Sequence, residues 1–367
     1  TLGEPTIARL KAGSKWVALV GNGYNSASQT ARLFIIDLET GNELKVLDTG
    51  VGNSTTPNGL HAPVPVDVDG DRIADFAYAG DLQGNLWKFD LTGNAVTDWK
   101  VAQPGGVTRP LFVAEDANGV RQPIAVRPTV GAHPNGGIMV YFGTGKFFEV
   151  GDEVVPGNPP LQAFYGIWDK GAVVTRADLQ SQSIVWQGNV PVTLSNNTTV
   201  NFESRVVSQY NVDYATKKGW YLNLADPNLS GVGEGERVIS RALLRSGRII
   251  FTSMIPEPDP CRFGGDGWLM ETDALSGGRL SETVFDLNED GLFNEEDGWV
   301  EIDDGAGGKI KVPVSGIKSK EGIINTPGVI EDGEKEYKFA SGSSGNIERV
   351  VESSGDAAGR KGWWQLR

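Results

Sequence analysis

The chain has 367 residues, 39% of them hydrophobic, with 49 glycines and 19 prolines spread along it rather than clustered. That composition supports a sizeable core with dense turn punctuation and excludes a low-complexity chain. The net charge of −14 comes without a basic cluster, which excludes nucleic acid as a partner, whereas an acidic surface suits bound divalent cations.

Taken in chain order, the sequence reads as short β-strands. Runs rich in β-branched and aromatic residues occur at 16–21 (WVALVG), 32–38 (RLFIIDL), 74–80 (ADFAYAG), 85–91 (NLWKFDL), 137–143 (GIMVYFG), 163–168 (AFYGIW), 219–224 (GWYLNL), 248–255 (RIIFTSMI), 267–273 (GWLMETD) and 337–343 (YKFASGS). Each is bounded by Gly, Asn, Asp or Pro, the residues that end strands and make turns. The one helix expected is short, near TRADLQSQS at 175–183. Asp81-Leu82-Gln83-Gly84 reads as the loop of a hairpin joining 74–80 to 85–91, and FASGSSGNIERVVESSG at 339–355 has the same form. The ends of 31–41 and 267–278 repeat an apolar alternation that closes on Thr/Ser-Gly. Repeated hairpins in an all-β chain predict a propeller, and seven blades would take about 52 residues each. A two-domain β-sandwich is the alternative, and it fits the repeated strand ends less well.

Two acidic stretches interrupt the strands. In DLNEDGLFNEED, Asp286, Asn288, Asp290, Gly291, Leu292, Asn294 and Asp297 fall at positions 1, 3, 5, 6, 7, 9 and 12 of a calcium-loop template. A hard cation takes six to eight oxygens. Alternate side chains of a tight loop supply them, Gly at position 6 admits a left-handed backbone, and Leu292 contributes its carbonyl. Asp297 is shorter than the usual Glu. The competing reading is a solvated acidic turn, in which the Asp286–Asp290 repulsion costs roughly 1 kcal/mol even in water. The second stretch, DVDGDRIAD, places Asp67, Asp69, Asp71, Ile73 (by its carbonyl) and Asp75 at positions 1, 3, 5, 7 and 9. Its position 6 is Arg72, where a left-handed backbone costs about 1–2 kcal/mol, and a carboxylate-rich turn is the alternative.

Catalytic motifs are scarce. His61 and His133, the two histidines, both read as loop residues without HExxH spacing or a cysteine nearby. SGSSG at 341–345 is not a nucleophile elbow, and GNGYNS at 21–26 precedes a strand, so it is a turn and not a dinucleotide loop. The single Cys261 excludes an internal disulfide, a zinc site and a CxxC pair. It reads as a half-buried structural residue or as half of a bridge to a cysteine outside this segment. No run reaches the roughly 18 apolar residues of a membrane helix. Most aromatic residues sit in alternating strands and read as packing, while the adjacent Trp363 and Trp364 suggest a closing strand or a partner contact. The chain starts at Thr1, so an export signal is expected upstream.

GNGYNS with LFIIDLETG, YAGDLQGNLWKFDL, YFGTGKFFE, IPEPDPCRFGGDGWLMETDALSGGRL and SGIKSKEGIINTPGVI together resemble the C-terminal domain of the PilY/PilC family of type IV pilus biogenesis factors, in the family's order. The resemblance implies an all-β fold, a modified seven-bladed β-propeller related to quinoprotein propellers with loop insertions, here as one domain over 1–367. It implies an exported protein of a Gram-negative bacterium at the pilus tip, outer membrane or cell surface. Such a protein works with minor pilins and the pilus machinery, promotes extension by opposing retraction, supports twitching motility, and adheres to a surface or host-cell receptor. It also implies calcium in the loop of Asp286, Asn288, Asp290, Leu292 and Asn294, the last standing where Asp is common in the family. No Arg-Gly-Asp triplet is present. The rival readings are a quinoprotein dehydrogenase, disfavoured by the lack of adjacent cysteines and a cofactor cage, and a calcium-indifferent adhesin.

Overall fold

The computed structural model describes residues 3–229, 233–259 and 264–355. Cys261, Trp363 and Trp364 lie outside the described residues. All ten expected runs form strands. Among the described residues the helical segments are single 3-10 turns, and none is long and apolar enough to cross a membrane. The expected helix at 175–183 is one of those turns, Arg176–Asp178, followed at once by the strand Gln180–Thr193. Asp178 closes the turn by accepting from the Thr175 backbone N–H and hydroxyl, both at 2.8 Å. The next residues alternate with period two, burying Gln182 and Ile184. The buried member Gln182 is polar and therefore hid the alternation. Its amide donates to the carbonyls of Tyr210 and Ser276 at 2.6 and 2.9 Å.

The contacts divide the chain into two compact units. The first gathers the residues up to Lys146 together with Ile167–Leu179. It opens with an antiparallel sheet of Thr6–Leu10, Lys15–Gly21, Arg32–Asp37 and Glu43–Asp48 in sequence order. Alternation sends Val17, Leu19, Leu33, Ile35 and Leu47 into a core shared with Ala77, Ala79, Trp87 and Phe89. The other face of that sheet is apolar too, with Ile7 and Trp16 exposed. In the following sheet Phe76–Gly80 and Asn85–Asp90 pair through the expected four-residue loop. Gly84 there has φ +78°, and an added Cβ would lie 2.6 Å from the Gln122 carbonyl oxygen, so only glycine fits.

The second unit gathers Phe147–Gly166 and the residues from Gln180 on. Its largest sheet runs Gln180–Thr193, Thr199–Val207, Gly316–Lys318, Gly265–Asp273, Arg248–Pro256 and Leu243–Arg245, each pair antiparallel. Gly219–Asn223 lies parallel to the start of Gln180–Thr193. A three-stranded sheet of Gly328–Asp332, Lys335–Ser341 and Ile347–Ser353 completes the hairpin read at 339–355. Val190, Val206, Leu269, Ile317 and Val350 share a core with Phe285 and Leu287. Those last two anchor the start of the 286–297 loop.

Candidate metal centre

The two acidic loops, one in each unit, have the same backbone design. In the 286–297 loop the position-1 carboxylate, Asp286, accepts the N–H of position 6, Gly291, at 3.1 Å. Position 3, Asn288, accepts from Asp290 at 2.9 Å, and position 5, Asp290, accepts from Leu292 at 2.7 Å. In the 67–75 loop the position-1 Asp67 accepts from Arg72 at 2.7 Å, Asp69 from Asp71 at 3.1 Å, and Asp71 from Ile73 at 2.8 Å. Positions 4 and 6 are left-handed in both loops: Glu289 and Gly291 at φ +58° and +81°, Gly70 and Arg72 at +81° and +69°. The left-handed Arg72 is therefore as expected. This alternation turns the side chains of positions 1, 3 and 5 to the inside of each loop, the arrangement a cation-binding loop requires.

The loops differ in depth. Asp286, Asn288 and Asp297 are buried, whereas Asp290 and Leu292 are exposed and Asn294 is half-buried. The second Asp286 oxygen, Oδ1, is buried and has no hydrogen-bond partner among the described residues. Burial raises the Asp286 pKa, with the Asp290 charge adding to it, against the opposing Gly291 hydrogen bond and Lys335 charge. Asp297 is 1% exposed and is pushed up to about 6, chiefly by burial. Its Oδ1 accepts from the backbone N–H groups of Leu287 and Asn288 at 2.9 and 3.2 Å, and its Oδ2 from Asn294 at 3.0 Å. Asp297 thus closes the loop by tying its first residues to its last. Sequence reasoning gave it a ligand's place and missed this clamp, for which the template has no signal. Asn294 spends its amide oxygen on the Glu296 N–H at 2.7 Å, and its carbonyl accepts from the Thr283 hydroxyl at 3.0 Å. Trp299 in turn donates its indole N–H to that hydroxyl at 2.6 Å, which pins the loop's exit.

In the first unit Asp67, Asp69 and Asp71 are exposed and their carboxylates converge, with oxygens within 4.8 Å of one another. Ile73 and Asp75 are half-buried, and Asp75 accepts from the Val68 N–H at 2.8 Å. Its pKa is raised by burial first and then by the charges of Asp69, Asp67 and Asp71. Both sets of residues fit a hard divalent cation by donor chemistry. The deeper loop also holds a buried carboxylate oxygen with no donor among the described residues.

His61 and His133 lie in loops as expected, but both are buried. The His133 ring packs on Trp168 with centroids 4.3 Å apart.

A model of the PilY1 β-propeller domain matches residues 1–202. The type IV pilus biogenesis factor PilY1 of Pseudomonas aeruginosa is 36% identical over 341 residues, covering 86% of this chain and 28% of that protein. A PilY1 homolog of Xylella fastidiosa is 37% identical over 295 residues, covering 76% of this chain and 19% of the homolog. The chain therefore spans under a third of the length of either relative. The crystal structure of the Pseudomonas aeruginosa PilY1 C-terminal domain superposes with a TM-score of 0.80 at 29% identity, covering 96% of this chain and 72% of that one. The all-β propeller class expected from the strand repeats is the class of these matches.

Proposed function

The chain belongs to the PilY1 β-propeller family, and from that premise we propose that it is a calcium-binding domain of a type IV pilus biogenesis factor that acts by binding and not by catalysis. On this reading the full protein works at the surface of a Gram-negative bacterium with the minor pilins and the pilus machinery. It promotes extension by opposing retraction, which supports twitching motility, and contributes to adhesion to a surface or host-cell receptor. The 286–297 loop is the principal calcium site, held by Asp286, Asn288, Asp290, the Leu292 carbonyl and Asn294, with Asp297 closing the loop behind them. The 67–75 loop, with Asp67, Asp69, Asp71, Asp75 and the Ile73 carbonyl, is a second site of the same design.

The observation that carries this reading is the buried Oδ1 of Asp286, which has no partner inside a loop whose acidic and amide side chains turn inward. A buried carboxylate oxygen without a donor is costly, and a divalent cation removes that cost. The ion supplies neutralisation and rigidity. The chain's own residues then fix the shape of the face on which the loop lies. The mechanism is an ordering switch, in which the ion-bound loop presents a defined surface to its partner and the ion-free loop does not. Calorimetric titration of calcium into the wild type and Asp290→Ala tests the assignment. Binding lost or strongly weakened in the variant supports it, and equal affinity refutes it. Pilus counts for the same variant then separate a calcium switch from a calcium-indifferent adhesin.

A further inference from the structure

The second unit contains a pocket of about 420 Å³ that shares no lining residue with the 286–297 loop and is lined in part by Arg279, Tyr214, Gln209, Asn211 and Leu280. Its unusual member is Arg279. The backbone N–H of this half-buried residue donates to the Ser208 carbonyl at 3.0 Å, but among the described residues its guanidinium has no ion pair and no hydrogen bond. Three other arginines of this unit are matched by carboxylates: Arg205 with Glu236 at 2.7 Å, Arg245 with Glu336 at 2.6 Å, and Arg248 with Glu271 at 2.9 Å. In a chain of net charge −14, a half-buried arginine left without a carboxylate asks for an anion from outside. Burial lowers its pKa, and no neighbouring carboxylate counteracts it. The carboxylate that shares the pocket, Asp273, is committed elsewhere. Its Oδ1 accepts from the N–H groups of Leu275 and Ser276 at 3.1 and 2.7 Å and from the Ser276 hydroxyl at 2.8 Å.

The remaining wall indicates what carries the anion. Gln209 and Asn211 are exposed and bring two amides, each a donor and an acceptor, and Ser281 adds a hydroxyl. Tyr214 is held in place by donating its hydroxyl to the Leu275 carbonyl at 2.6 Å, and with Leu280 it forms the apolar side. A planar guanidinium takes a carboxylate through two parallel hydrogen bonds. Amides and hydroxyls suit vicinal hydroxyl groups, and an aromatic wall suits the C–H face of a ring. The volume is that of a small-molecule site. We propose that this pocket binds an acidic sugar of the hexuronate class, with its carboxylate on Arg279 and its hydroxyls on Gln209, Asn211 and Ser281. This inference is independent of the calcium reading.

The test is an NMR titration of the isotope-labelled protein with glucuronate, alongside glucuronamide, which keeps the ring and replaces the carboxylate by a neutral amide. The expected result is saturable shifts of the Arg279 Nε–H and of the Gln209 and Asn211 side-chain amides with glucuronate. Glucuronamide should bind about tenfold or more weakly, as for loss of one charge-assisted bidentate contact. Arg279→Gln should lose binding by a similar factor, and Arg279→Lys should retain part of it. No saturable shift with glucuronate overturns the proposal, and so does equal binding of glucuronamide. An acidic peptide that saturates the same resonances while glucuronate does not also overturns it, since the pocket then belongs to a protein partner. The ligand comparison stands even if Arg279→Gln fails to fold.

Discussion

The Asp67 carboxylate accepts the backbone N–H of Arg72 at 2.7 Å, and that bond holds an arginine at φ +69° where glycine is the easy choice. The Arg72 side chain is exposed and, among the described residues, makes no hydrogen bond or ion pair that would offset the strain. A left-handed non-glycine residue costs about 1–2 kcal/mol, and the greater freedom of glycine in the unfolded chain returns part of it. Arg72→Gly is therefore expected to stabilise the ion-free protein by roughly 0.5–1 kcal/mol. Urea unfolding in chelator measures this. A destabilised variant would mean that Arg72 makes a contact worth more than its strain.

Asp297 carries three backbone N–H groups on one buried carboxylate. Replacing it with alanine leaves those donors without an acceptor, which costs about 2–4 kcal/mol once the loop has relaxed toward water. Asp297→Asn keeps one acceptor oxygen and is expected to lose about half as much. Both losses should appear in urea unfolding without calcium, because the clamp acts on the loop itself. If Asp297→Ala is destabilising only in the presence of calcium, Asp297 is a ligand and not a clamp.

His61 gives the first unit a dependence on pH. The residue is 8% exposed, and burial lowers its pKa from 6.5 to about 4. In the unfolded chain the imidazole takes its proton near 6.5, whereas in the fold it stays neutral until the pH is far lower. Between these values the unfolded state binds more protons, so stability falls as the pH falls. The loss through His61 approaches about 3 kcal/mol by pH 4. His61→Gln cannot take up that proton, so its stability should decline less between pH 6.5 and 4. Parallel slopes for the two proteins in acid-side urea titrations would show that His61 does not titrate in this window.

Much of this was legible from residue order. Period-two alternation marked the strands because their inward faces, such as Val17, Leu19, Leu33 and Ile35, are uniformly apolar. The two loops were legible because an acid or amide at every second position is a local pattern, and their hydrogen-bond ladders span only two to five residues. The strand at 180–193 was misread where a buried glutamine replaced the apolar member of the alternation. The unpaired Arg279 and the Arg205 stack on Trp268, 3.7 Å from the ring centroid, were not legible at all. Both depend on which side chains the sheets bring close, and strand order is not written in local spacing.

Asp81 shows how far a single polar residue of the hairpin reaches beyond the turn it was read as. It is fully buried, and among the described residues no cation pairs with it. Its Oδ2 accepts from the Asn58 amide at 2.8 Å, the Asn85 amide at 2.8 Å and the Trp87 indole N–H at 2.7 Å, and its Oδ1 from the backbone N–H groups of Gln83 and Asn85, both at 2.9 Å. Each of these partners is a donor, so the site is built for an acceptor-only carboxylate. Asp81→Asn turns two N–H bonds toward groups that can only donate. The expected cost is about 3–5 kcal/mol, the range for breaking a buried charge network by removing one partner. The variant alone does not separate this effect from lost packing. Trp87→Phe removes one of the donors, and against that background Asp81→Asn should cost about 1–2 kcal/mol less. Urea unfolding of the four proteins in the cycle gives the coupling. A coupling near zero would mean that the indole N–H bond contributes nothing and that Asp81 holds the hairpin through the backbone of Gln83 and Asn85 alone.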